Sequence, residues 1–370
     1  MSLDEFPKPD QIEGAPHPRE TAHLIGQGTA GQAFLDARNS GRLHHGWLIT
    51  GPRGVGKATL AWRIARFLLA TPADDGAGLF GEAPKPETLD IPADHPVARR
   101  LLAGSDPGLF HITRSVNEKT RKLRDMIVAD DVRRLNNFLH LSAADGGNRV
   151  VIIDCADEMN TQAANALLKM LEEPPARTVL LLISHQPSGL LPTIRSRCRA
   201  LRLHPLGPAD MTAALAQAGI DTSDDATALA ELSGGSVGEA VRLVNLGGLQ
   251  IYRELIAICN ALPQLDRPRA LKLAEASALR GAGDKLDLLL SLTDLMLARL
   301  ARTGAMGAPA KIEAAPNEAA MMARLSGSPA KARQWAECAA EISARARHGR
   351  AVNLDPAALV LDTMFRIRQT

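Results

Sequence analysis

Aromatic side chains are almost missing from these 370 residues: three Trp, one Tyr and seven Phe, 3% of the chain. A core must therefore be built from Leu, Ala, Val and Ile, a composition that favours helices with a few buried strands. Cysteine is scarce too. Cys155, Cys198, Cys259 and Cys338 stand far apart, so no CxxC pair exists to hold zinc. No apolar run approaches the roughly 20 residues that span a bilayer. The opening MSLDEFPKPD is polar and broken by proline, unlike a secretory signal. Net charge is only +2, too little to predict nucleic-acid binding by itself. The expectation is a cytoplasmic protein with reduced thiols.

What is present is an alternation. Residues 1–20 read as a flexible leader, and His23 to Asn39 as helical. The apolar run Gly46-Trp-Leu-Ile-Thr50 ends in a glycine-rich turn, Gly51 to Gly56. Leu60, Ile64, Phe67 and Leu68 then share one helix face. Residues 71–108 show no period and read as a surface insertion. Leu109–Ile112, Val150–Ile153, Thr178–Ser184 and Ala200–Leu203 read as further strands. Between them, helices follow Asp130-Asp131 and run from Thr161 to Glu173, stopped by Pro174-Pro175. Such alternation predicts a parallel sheet covered on both faces. Beyond Pro205 only helical signals remain. Four regions are expected: the leader 1–20, an α/β domain over 21–205, a small helical domain over 206–247 and a larger helical domain over 248–370.

The strongest chemical signal is Gly51-Pro-Arg-Gly54-Val-Gly56-Lys57-Ala58-Thr59. Strand, glycine loop and helix stand in P-loop order. Glycines let backbone N–H groups wrap phosphates, the helix N-terminus adds positive potential, and Lys57 would reach the terminal phosphates. One part is wrong. The magnesium-binding Ser or Thr should follow the lysine directly, and Ala58 stands there. Thr59 is turned about 100° further round the helix. A second signal is Val150-Val-Ile-Ile-Asp154-Cys155, where a buried strand delivers a Walker B carboxylate beside magnesium. The next residue in a working ATPase of this kind is a glutamate that polarises water, and here it is Cys155. A third is Thr193-Ile-Arg195-Ser196-Arg197-Cys198. By itself it reads as solvated arginines near a helix end.

The order GPRGVGKAT, VVIIDCAD, ANALLKMLEEPP (residues 164–175) and SRC resembles the clamp-loader branch of the AAA+ proteins. The stretches from Leu24 to Gln27 and from Leu43 to Trp47 resemble the delta-prime type within it. The resemblance implies an AAA+ P-loop domain with a parallel sheet flanked by helices, then a small helical lid and an all-α collar that oligomerises. It implies a stationary subunit that supplies Arg197 as an arginine finger, in trans, to a neighbouring motor subunit's ATP site while the sliding clamp is loaded onto primed DNA. Its partners would be motor subunits, a clamp-opening subunit and, through the complex, clamp and DNA, with no membrane.

Gly51, Gly54, Gly56, Lys57, Thr59 and Asp154 become a degenerate nucleotide site. ATP is expected to bind weakly at most, with magnesium lost and no zinc. Motors also place an arginine near Gly235–Ala240 to sense the γ-phosphate, where this chain has Glu239, with Arg242 close by. Ser184 or His185 falls at the other sensor. The alternatives are an active motor of the same family, a scaffold without a finger, and a P-loop small-molecule kinase.

Overall fold

The computed structural model describes residues 9–21, 23–71, 85–117, 120–140, 147–221, 225–279 and 283–370. They form two compact units. The first comprises residues 1–206 with 217–219 and 236–238; the second comprises 207–216, 220–235 and 239–370.

The first unit holds five parallel strands: β1 (Gly46–Thr50), β2 (Leu109–Ile112), β3 (Arg149–Ile153), β4 (Thr178–Ser184) and β5 (Arg199–Arg202). They lie in the order β2-β3-β4-β1-β5. Every residue of β1 and β4 is buried. Both therefore read as unbroken apolar runs rather than alternating ones, as strands covered on two faces must. Register fixes the site: Thr50 stands beside Ser184, and Trp47 beside Arg199. Helices α1 (Gly28–Asn39), α2 (Lys57–Ala70), α3 (Pro96–Leu102), α4 (Ala129–His140), α5 (Thr161–Glu172) and α6 (Pro192–Ser196) connect the strands. The Asn160 side chain caps α5 by accepting from the Ala163 N–H at 2.8 Å. Leu135 and Leu139 of α4, Leu167 and Leu171 of α5, and Val151 and Leu180 of the sheet share one core.

Two expectations differ from this unit. Within the supposed featureless insertion, α3 forms, and His95 caps it by accepting from Val97 N at 3.2 Å. Seven residues are too few for periodicity to reveal. Residues 72–84 of that insertion, and 1–8 of the leader, lie outside the described residues. The rest of the leader is packed rather than free: His17 is buried, with Nε2 2.8 Å from Asp10.

The second unit is helical. It carries most of α7 (Pro208–Gln217), α8 (Ala226–Leu232), α9 (Val237–Leu246) from Glu239 onward, and α10 (Gly248–Asn260). After these come α11 (Arg267–Ala278), α12 (Gly283–Met306), α13 (Glu318–Leu325), α14 (Pro329–Ala351) and α15 (Pro356–Gln369). Most of the segment expected as a separate lid groups here with the helices that follow it. Ion pairs join them: Arg253 of α10 holds Asp225 at 2.6 Å, and Arg299 of α12 holds Glu231 of α8 at 2.5 Å. Arg299 also pairs with the buried Glu318 at 2.8 Å, which accepts from Tyr252 Oη and the Ala314 N–H. A buried charge needs such partners. No described helix is long and apolar enough to cross a membrane.

Candidate functional site

The carboxyl ends of strands in an open α/β sheet are where ligands bind, and the P-loop leaves β1 there. Three of its glycines have positive φ: Gly51, Gly54 and Gly56. A Cβ on Gly51 would strike the Leu203 carbonyl oxygen at 2.5 Å, and one on Gly54 would lie 2.9 Å from Gly238 Cα. The sequence thus folds the loop its motif demands. The buried Gln27 braces it. Its amide donates to the His204 carbonyl at 2.7 Å and to the Val55 carbonyl at 3.4 Å, and accepts from His204 N at 3.1 Å. Sequence reasoning had flagged Gln27 only through resemblance.

Where phosphate would sit, the chain satisfies its own groups. Lys57 is 3% exposed and donates to the carbonyls of Gly51, at 2.7 Å, and Pro52. Burial pulls its ammonium down to about 8, although Asp154 opposes the shift. Ser236 Oγ donates to the Arg53 carbonyl at 2.8 Å, and the Gly238 N–H donates to the Gly54 carbonyl at 3.1 Å. Backbone therefore covers the loop tip. Ala58 offers no oxygen, and Thr59 is half-buried one position further along α2.

Asp154 directly follows β3, its N–H donating to the Ile112 carbonyl at 2.9 Å. It is buried, and burial, with the negative Asp10 nearby, raises its carboxyl to about 6. Cys155 follows in the left-handed region at φ 58°. Its Sγ lies 3.3 Å from His185 Nε2 and 3.7 Å from Asp154 Oδ1. Burial raises the Cys155 thiol and pulls His185 down to about 4, so both are neutral at pH 7. A neutral thiol beside a neutral imidazole puts no carboxylate at this position to polarise water. Of the two sensor candidates, His185 takes up this contact. Ser184 is fully buried, and its Oγ has no hydrogen-bond partner among the described residues. Asp157 accepts from His185 N and Gln186 N, both at 3.1 Å, tying the ends of β3 and β4 together. Glu158 pairs with Arg114 at 2.9 Å. Glu239 pairs with Arg242 within α9 at 3.1 Å.

Arg197 is not part of this cluster. It follows α6, just before β5, and the Arg197 carbonyl would lie 3.1 Å from a Cβ on Gly46, the first residue of β1. The P-loop leaves the other end of that strand. Five residues at about 3.3 Å each separate the two ends. The guanidinium is half-exposed, donating to the Thr193 carbonyl at 3.1 Å and pairing with Glu172 at 2.8 Å. The adjoining Cys198 is half-buried, its thiol pushed up to about 12 by burial. No cluster of His, Cys, Asp and Glu among the described residues could hold a metal ion.

Residues 26–207 match the family model described as DNA polymerase III, delta subunit. The Pseudomonas aeruginosa DNA polymerase III subunit delta' is 42% identical over 206 residues, covering 55% of this chain and 56% of that protein. The Escherichia coli subunit delta' is 32% identical over 234 residues, 62% and 63% of the two chains. A Mycobacterium tuberculosis subunit gamma/tau is 30% identical over 207 residues, 54% of this chain and 31% of the other. A DNA polymerase III gamma-subunit-related protein of Thermotoga maritima superposes over 91% of this chain and 99% of its own, with a TM-score of 0.43 and 17% identity. The chain spans about half the length of the curated relatives it matches. Over residues 26–207 it is similar to the DNA polymerase III delta-subunit family.

Proposed function

We propose that this chain is a stationary subunit of the DNA polymerase III clamp loader, working on ATP held by a neighbouring motor subunit through Arg197. The observation that carries the reading is the position of Arg197, at the opposite end of β1 from this chain's own P-loop. An arginine there cannot serve its own phosphate cradle. It is half-exposed and oriented by Glu172 and the Thr193 carbonyl, so it can be offered to another molecule. A guanidinium fork suits charge developing on a γ-phosphate, because it presents paired donors in one plane.

The chain's own pocket supports the same division of labour. Ala58 cannot ligate magnesium, Cys155 supplies a neutral thiol where a carboxylate would polarise water, and Lys57 is spent on loop carbonyls. Nucleotide at this site would lack both the P-loop hydroxyl ligand for magnesium and an activated water. In the assembly, the motor subunits bind ATP, the ring tightens and the sliding clamp opens. Hydrolysis on primed DNA, aided by Arg197, then releases it. The helical second unit would supply the collar contacts. Its partners are the motor subunits and the clamp-opening subunit.

The test is Arg197→Ala in a reconstituted loader. DNA-stimulated ATP hydrolysis and clamp loading should fall while assembly is retained; unchanged rates would remove the finger and leave a scaffold.

A further inference from the structure

We infer that residues 10–17 are a built-in plug, holding the Ser236–Gly238 backbone on the P-loop and keeping nucleotide out of this chain's own cleft. Two anchors fix the segment. At its far end, the Arg19 N–H donates to His17 Nδ1 at 3.1 Å. With Nδ1 accepting, Nε2 is the donor to Asp10 Oδ2 at 2.8 Å. Asp10 Oδ2 also lies 3.8 Å from His111 Nε2. His111 belongs to β2, next to the Ile112 carbonyl that accepts from Asp154 N. Both imidazoles meet the edge or face of Trp62 on α2, with ring centroids 5.8 and 5.1 Å away. Arg66 of α2 donates to the Arg19 carbonyl at 2.7 Å.

Burial pushes Asp10 upward, but the His17 hydrogen bond and the two imidazoles outweigh it, so the group stays below the usual carboxylate range. The anchor is thus charged at neutral pH.

Between the anchors lies the contact that matters. A Cβ on Gly238 would sit 2.6 Å from Ile12 Cδ1 and 3.0 Å from Gly54 Cα. Gly238 is therefore clasped between Ile12 and the P-loop tip, with its N–H committed to the Gly54 carbonyl. Ile12 is 40% exposed, so its packing serves this contact rather than a deep core. Further along, Leu24 closes on Gly56, 2.8 Å from where a Cβ would stand. The segment thus spans the cleft from the Asp154 side to the loop tip. A phosphate can enter only if Gly238 leaves Gly54, and Ile12 stands behind Gly238.

The idea does not rest on the role of Arg197, which is read out separately through the neighbour's hydrolysis. The experiment is equilibrium ATP binding, with and without magnesium, by three full-length proteins: wild type, Asp10→Ala/Ile12→Ala, and a variant lacking residues 1–14. Amide exchange at Gly54–Lys57 is followed in parallel, and circular dichroism checks folding. The plug predicts that both variants bind ATP at least about tenfold more tightly than wild type, since a site closed most of the time loses affinity in proportion. Binding should be indifferent to magnesium, because Ala58 supplies no ligand. Exchange at Gly54–Lys57 should speed up. Should a folded variant bind no better than wild type, or the loop exchange at an unchanged rate, residues 10–17 are packing and not a plug.

Discussion

The Lys57 ammonium donates to the carbonyl oxygen of Gly51 at 2.7 Å, turning the phosphate-seeking residue of the P-loop onto the loop itself. The glycines keep their left-handed turns and the helix still starts at the lysine.

If Lys57 serves only its own loop, Lys57→Met should be silent in the machine. The DNA-stimulated ATPase of a loader carrying that variant is expected to stay within about twofold of wild type, a change of under about 0.5 kcal/mol in barrier. The same substitution in a motor subunit would abolish turnover at its site. A large loss from this chain's Lys57 would mean that its pocket works after all.

Arg197 should resist conservative replacement. A finger stabilising a transferring phosphoryl group is worth about 10³–10⁵ in GTPase systems. In a ring with several sites, the expected loss for Arg197→Ala is about tenfold or more in stimulated kcat, with KM for ATP changed far less. Arg197→Lys should recover little, because an ammonium cannot reproduce the planar fork. Glu172→Gln removes a half-exposed ion pair worth about 0–1 kcal/mol, and its effect on stability should be correspondingly small.

Asp154 gives a pH signature. Its folded-state pKa of about 6 lies above the ordinary 3.8, so the native state binds the proton more tightly than the unfolded chain. The cost of burying the charge is absent at low pH, grows as pH rises between these two values and stays constant above. Asp154→Asn removes that cost. The variant should match wild type near pH 4 and exceed it by up to about 3 kcal/mol at pH 8. Urea denaturation at the two pH values measures the difference. An equal offset at both would contradict a carboxylate whose burial outweighs the Cys155 and Lys57 groups that favour its charge.

In the helical unit, Glu318 is 1% exposed and answers Arg299, Tyr252 and the Ala314 N–H at once. Glu318→Ala leaves Arg299 with Glu231 but removes the acceptor of Tyr252 Oη and the Ala314 N–H, and should cost about 1–3 kcal/mol. Tyr252→Phe should cost about 1 kcal/mol. Chemical denaturation of each variant checks the ranking.

The sheet was legible because its signals are local. Unbroken apolar runs marked β1 and β4 to the residue, and Pro174-Pro175 marked the end of α5 within one position. Ala58 and Cys155 were legible as missing functions, since an absent hydroxyl or carboxylate shows in the sequence itself. Contacts between distant residues were not. Nothing near Asp10 announces that His17 and His111 will flank it, so a segment rich in proline and charge reads as loose. Likewise, Gly238 could be placed only by analogy before its N–H was seen on the Gly54 carbonyl, 184 positions away. Most of residues 206–247 group with the later helices, joined to them by Arg253–Asp225 and Arg299–Glu231, pairs that periodicity does not encode.

Steady-state ATP hydrolysis by the purified chain alone, at saturating ATP and magnesium, addresses the main claim most directly. With the hydroxyl ligand absent at Ala58 and a neutral thiol at Cys155 in place of a carboxylate, turnover should be indistinguishable from a blank reaction, with or without primed DNA. Sustained hydrolysis at the rate of a competent motor, abolished by Lys57→Met, would show that the pocket is a working engine.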